Sequence, residues 1–232
     1  MQPIKITAEM LSPIAVTDDW SPSLDAVIAY FVLEKHKLLS PQPSIKEIKK
    51  NYQILEAEIP LRNVNYGGIS CWMISSPCYF YFSEQAERIR KRWDYQEHRL
   101  NWGKRKAKTD TSQGPEKSYD LPIFLRNPAS ITWYGVGDIK KVRSLLPNCT
   151  SLGKKRSVGN GQVRKWTVEA IAEDWHLWKD GMLMRPYPLE LMPKDRPVDM
   201  AIREWGLGQP SWHPDFKRMC AMPIHTVKQH GD

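Results

Sequence analysis

Cysteine is scarce in this chain and poorly spaced for metal binding. The four present (Cys71, Cys78, Cys149 and Cys220) include no Cys-x-x-Cys pair, and none stands at a zinc-finger interval from a histidine. That leaves no zinc framework. A disulfide framework is also unnecessary, because 232 residues can bury a core of their own. The cysteines then read as ordinary small residues of a reducing compartment. No apolar run reaches the length of a membrane span, and the start, MQPIKITAEM, lacks the hydrophobic segment of a secretory signal. The expectation is a soluble, cytoplasmic protein. The six histidines show no spacing for a metal site and the carboxylates cluster nowhere in sequence, so no metal and no cofactor are expected.

Two familiar phosphate loops are missing as well. Residues 151–169, SLGKKRSVGNGQVRKWTVE, set Gly153, Gly159 and Gly161 around the cations Lys154, Lys155 and Arg156, before the alternation Val163, Trp166, Val168. A Walker loop needs Gly-Lys-Ser/Thr, but Gly159 is followed by Asn160. The dinucleotide fingerprint needs a glycine three places after Gly161, where Arg164 stands. What fits is a basic loop for a polynucleotide backbone, with Lys154, Lys155, Arg156 and Arg164 neutralising phosphates, the bare Gly159-Asn160-Gly161 amides donating to their oxygens, and Gly153 and Ser157 in the same binding loop. A solvated basic hairpin turn fits the same residues.

The charge is localised. The formal net charge is +8. Residues 84–108 hold nine basic and four acidic side chains, and residues 152–166 hold five basic and none acidic, so these two segments exceed the total and the remainder is about neutral. A polyanion footprint has this form, although membrane headgroups or an acidic protein could use the same charge.

Along the chain, Ile4, Ile6 and Ala8 alternate with polar residues as in a strand. A loop follows, and Ser23 or Asp25 can cap a helix carrying Leu24, Val27, Ile28, Phe31 and Val32 to about Lys37. Strands are predicted at residues 53–61, 69–75 and 79–82, with Asn65-Tyr66-Gly67-Gly68 as a turn. Residues 84–120 read as a basic insertion, whose middle forms a helix or a long hairpin and whose stretch 103–117 is mobile when unbound. Its Arg88, Arg90, Lys91, Arg92, Lys104, Arg105 and Lys106 offer phosphate contacts. Trp93, Tyr95 and Trp102 either stack on bases or pin the insertion to the body. Strands at 121–125 and 130–136, a helix at 139–146 capped by Asp138, the glycine-rich loop and a strand at 162–171 complete a β-α-β-β-α-β order. Beyond residue 174 the chain is rich in proline and tryptophan. A hairpin is predicted around Asp180-Gly181 and a helix over 198–205.

Residues 131–137, ITWYGVG, the helix 138–146 and the loop resemble the RAMP superfamily of CRISPR-associated proteins. Leu24-Asp25-Ala26 and Arg185-Pro-Tyr-Pro188 extend the likeness toward the type IV effector subunit that caps the 5′ handle of the CRISPR RNA. This resemblance implies an α+β, ferredoxin-like βαββαβ core over residues 1–171, interrupted by an arm at 84–120 and followed by an extension at 172–232 that packs on the core or on a neighbouring subunit. The chain departs from the RNA-recognition motif proper, whose K/R-G-F/Y-G/A-F-V signature is absent, so RNA held by loop and arm is expected, not RNA on the sheet face. Implied partners are crRNA, a backbone RAMP subunit and a large subunit, with target DNA near the handle-proximal end and a helicase as further candidates.

Some RAMP proteins cleave repeat RNA with a histidine near the end of the first helix, where His36 stands here beside Lys37. A His and Lys pair can move a proton and stabilise a pentacovalent phosphate without metal. The plainer role is a favourable interaction with the helix dipole. Two functions follow: a non-catalytic crRNA-binding subunit, or a metal-independent repeat endoribonuclease. A generic RNA- or DNA-binding domain is a third.

Overall fold

The alternation of Ile4, Ile6 and Ala8 with Lys5, Thr7 and Glu9 forms strand β1, Gln2–Met10, in the computed structural model. The structure describes residues 1–38, 45–91, 112, 117–194, 200–208, 211, 213–224 and 227–229. Successive side chains of a strand point to opposite faces, so β1 buries one set completely: Ile4, Ile6 and Ala8 are all solvent-inaccessible. On that same face lie Ile131 and Trp133 of β6, Tyr119–Gly137, which pairs antiparallel with β1, Ile131 opposite Ala8 and Trp133 opposite Ile6. Strand β7, Val163–Ala170, flanks β1 on the other side and adds Val168.

Two helices cover this face. In α1, Leu24–Lys35, Leu24, Ile28 and Val32 recur every four residues and are buried. Ser23 holds the N-cap position, but its hydroxyl donates to Asp25 Oδ1, which also accepts the Ala26 N–H. In α3, Ile139–Leu145, the cap is Asp138, whose Oδ1 accepts from the Lys140 and Lys141 amides at 2.9 and 3.1 Å. Those bonds hold the Asp138 carboxyl below its ordinary pKa. Helix α2, Ile45–Glu58, lies where a strand over 53–61 was predicted. Leu55 and Ile59, four apart, are buried in the core, and Glu58 reaches the end of α1, so helical spacing and the α1 partner override the local strand reading.

Strand β5, Cys78–Lys91, pairs antiparallel with β6 from Cys78–Thr132 to Lys91–Tyr119. The separate short strands predicted at 79–82, 121–125 and 130–136 are therefore one continuous ribbon, which absorbs Pro128 at a register irregularity. Its outer part, residues 84–91 with 119–126, is the root of the predicted arm. A buried strand β2, Ile14–Val16, lies along β6 at residues 124–126. Among the described residues the main sheet has the order β13-β5-β6-β1-β7, with β13, Val227–Gln229, parallel to β5, and β2 beside β6.

The Gly67-Gly68 turn joins β3, Asn63–Tyr66, to β4, Ile69–Trp72. After β7, Asp180 and Gly181 (φ 51° and 77°) turn β8, Trp178–Lys179, into β9, Met182–Leu183. A further small sheet contains β10, Tyr187–Pro188, β12, Lys217–Ala221, and β11, Ile202–Gly206. Of the helix predicted over 198–205, residues 202–205 belong instead to β11, which gains a backbone partner in β12, and residues 198 and 199 lie outside the described residues. The extension meets the rest of the chain through Trp20, packed edge-on to Trp205 at 5.7 Å, and through the Ser76 amide, which donates to the Met184 carbonyl. No helix among the described residues is long and apolar enough to cross a membrane.

Candidate nucleic-acid interface

The glycine-rich loop leaves the end of α3 and folds back on itself through Ser151, bridged to Gln162. Its amides are largely committed. The Leu152 N–H donates to the Gly161 carbonyl (2.8 Å), the Gly161 N–H to the Pro13 carbonyl (2.7 Å), the Gly159 N–H to the Arg156 carbonyl (3.0 Å), and the Lys154 N–H to the Ala15 carbonyl (2.9 Å). Ser12 Oγ donates to the Gly159 carbonyl and accepts from the Gln162 N–H. The predicted donation by the Gly159 and Gly161 amides to phosphate is therefore corrected. Those two donors are spent on the fold, and anion attraction rests on side-chain cations.

Those cations are well placed. Lys154, Arg156 and Ser157 are exposed, while Lys155, held at φ 55°, sets its ammonium 5.2 Å from the Tyr119 ring centre. Tyr119 is the first residue of β6 and pairs with Lys91, so this cation–π contact joins the loop to the root of the arm. Arg88 and Arg90 lie on the same ribbon and share Asp120, at 2.9 and 3.2 Å. The Arg88 hydrogen bond holds the Asp120 carboxyl below its usual value, and two cations on one carboxylate leave an excess of positive charge. Arg164 is exposed and stands at the bulge where Glu9 pairs with Lys165 and Met10 with Val163. Asn160 is half-buried. Arg92, Trp93, Lys104, Arg105 and Lys106 lie outside the described residues, as does most of the stretch 103–117.

Strand β2 holds loop and arm together, a part read from the sequence only as loop. Ala15 pairs with Leu125 of the ribbon and bridges to Lys154. One position further along β6, the buried Arg126 reaches Asp19 and Glu84 and lies over the Tyr79 ring. The short apolar run Ile14-Ala15-Val16 was the available signal, but three residues carry no readable period.

Beside the loop opens a cleft of about 530 Å³. Gly153, Lys154 and Arg156, the α1 start at Asp25 and Ala26, and Arg185 and Pro186 all line it, so three separated sequence motifs converge on one cavity. Burial works against the Arg185 charge, but the guanidinium stays protonated, with Asp25 among the groups that raise its pKa. Burial raises the Cys149 thiol, also in the lining, to about 11, which leaves it a protonated and unreactive side chain at neutral pH.

His36 and Lys37 lie elsewhere. His36 Nε2 is 2.5 Å from Glu58 Oε1, and Lys35 Nζ is 3.1 Å from Glu58 Oε2. The hydrogen bond from Lys35, helped by His36, holds the Glu58 carboxyl below its ordinary value. Lys37, at φ 56°, donates its N–H to the Glu34 carbonyl, and the Leu38 N–H donates to the Leu33 carbonyl, closing the helix end. Residues of α1 as far as Phe31 line the cleft, whereas His36 and Lys37, just beyond the helix end, do not.

A largely antiparallel sheet backed by helices, with a cationic loop tied to a cationic ribbon, defines a basic α/β protein. The chain matches the family described as CRISPR type IV associated protein Csf3 over residues 2–224, and it belongs to that family. Comparison with curated proteins finds no match. Among solved structures, a chain of the cryo-EM structure of the Type III-B Cmr-beta bound to cognate target RNA is similar at 10% identity with a TM-score of 0.36, over 74% of this chain and 62% of that one. The chain thus spans less than two thirds of that neighbour's length.

Proposed function

We propose that this protein is a non-catalytic crRNA-binding subunit of a type IV CRISPR effector ribonucleoprotein, capping the 5′ handle of the crRNA beside a backbone RAMP subunit and a large subunit. The observation that carries the reading is the junction of its two cationic segments, where Lys155 of the glycine-rich loop meets Tyr119 at the arm root and β2 ties both to the core. Family membership supports the CRISPR setting. A ferredoxin-like RAMP core over residues 1–171 accounts for the strand order β7-β1-β6-β5, with α1 and α3 as its two helices and 84–120 and 172–232 as additions. The engagement of His36 with Glu58, outside the lining of the cleft, supports a structural role for that histidine over a catalytic one.

The test is replacement of Lys154, Lys155 and Arg156 by alanine in the full chain. Each phosphate contact on single-stranded RNA contributes about 0.7 to the slope of log K against log salt, so the triple variant lowers the slope by roughly 2 units and weakens binding. RNA recovered with the wild-type complex and sequenced identifies the handle. An unchanged slope refutes the loop as a phosphate site.

A further inference from the structure

We infer that the cleft beside the glycine-rich loop receives one unstacked nucleotide of the bound RNA, its phosphate on Lys154 and Arg156 and its base inside against Asp25 and Arg185. This rests on the RNA-binding reading above and specifies where a base goes. The volume of about 530 Å³ falls in the range of small-molecule sites and accommodates a nucleotide. Arg185 is 6% exposed and lines the cleft, with Nη1 donating to the Trp72 carbonyl at 2.5 Å and the guanidinium lying over the Tyr66 ring. Its Nε has no hydrogen-bond partner among the described residues. Buried donors are nearly always paired, so the unpaired Nε marks a polar wall of the cleft with hydrogen-bonding capacity to spare.

Asp25 narrows the chemistry of that ligand. It is 3% exposed and lines the same cleft as Arg185. A carboxylate lining the same cleft as the guanidinium disfavours a bare phosphate in the interior, whereas a nucleobase edge offers a donor to one group and an acceptor to the other. Exposed cations sit where the phosphate must remain, on Lys154 and Arg156. Trp20 and the exposed Tyr30 supply aromatic surface in the lining, which suits a base that has left its stack.

The experiment is ultraviolet cross-linking of decauridylate to the full chain, followed by trypsin and mass mapping. The expected adduct falls in the peptide 6–35, which carries both Trp20 and Tyr30, and excess uridine 5′-monophosphate suppresses it. Ala26→Phe, which fills the cleft, removes the adduct and lowers affinity about tenfold while leaving the salt slope of the loop cations intact. Adducts confined to other peptides, failure of the mononucleotide to compete, or unchanged adduct and affinity in Ala26→Phe overturn the cleft proposal. Retention of RNA without the adduct overturns this inference alone. Failure of the wild-type chain to retain RNA overturns the RNA-binding reading with it.

Discussion

Gly159 and Gly161 stand two residues apart in the same loop, and alanine at each should have very different consequences. Both adopt left-handed backbone, at φ 91° and 74°. An L-residue there costs about 1–2 kcal/mol, of which about 0.4–1 is returned because alanine restricts the unfolded chain. At Gly159 a Cβ meets nothing within 4 Å, so the net loss is about 1 kcal/mol. At Gly161 the same atom would overlap the carbonyl oxygen of Leu152. That backbone cannot step aside, since the Leu152 N–H is bound to the Gly161 carbonyl and the Gly161 N–H to the Pro13 carbonyl. Relief means breaking both bonds, at about 0.5–1.5 kcal/mol each, for a total near 3 kcal/mol. Urea denaturation gives the two stabilities, and RNA titration of the same variants gives the functional effect. Gly161→Ala should lose stability and RNA affinity together, because the loop that presents Lys154 to Arg156 is displaced, while Gly159→Ala keeps its affinity. Stability losses equal within about 0.5 kcal/mol would refute the packing argument.

Other outcomes follow from groups away from the loop. His36→Ala removes an exposed contact with Glu58, which keeps Lys35, so stability falls by less than about 1 kcal/mol and RNA affinity is unchanged. Metal-independent cleavage of repeat RNA by the wild type, abolished in this variant, would reverse the assignment of His36. His176 is buried, with Nδ1 2.7 Å from Asp174 Oδ1 and Nε2 3.0 Å from the Tyr66 hydroxyl. Burial lowers its pKa below the ordinary 6.5 despite the Asp174 bond, while burial pushes the Tyr66 phenol up to about 12. The unfolded chain then takes up the His176 proton first, so stability is fully present above about pH 6.5 and falls as pH drops toward the lower folded value. Thermal unfolding of wild type between pH 7.5 and pH 5 should show this decline, and His176→Gln should flatten it. Parallel profiles would exclude His176 as the cause.

Much of the frame was legible in the sequence because its signals are local. The alternation in β1, the four-residue spacing in α1, the Asp138 cap, the Asp180-Gly181 turn and the alternation of β7 each depend on neighbours a few residues away, and each stands within a residue or two of its predicted place. Charge localisation was equally plain, because it is a count. The errors fell where a distant partner decides. Residues 53–58 belong to a helix since Leu55 and Ile59 face the core and Glu58 meets Lys35 and His36. Residues 202–206 are a strand since β12 supplies the other half of the ladder.

The sequence by itself determined which residues carry positive charge, where glycine permits left-handed backbone, and which short segments have one apolar face, all properties of residues and their near neighbours. Only the tertiary structure decided that the Gly161 amide is consumed by Pro13, that the three-residue strand at Ile14–Val16 joins loop to arm, and that Asp25, Lys154 and Arg185 share one cleft. Hydrogen bonds across some 150 residues and a buried guanidinium left with an unpaired donor arise from packing, and no local period encodes them.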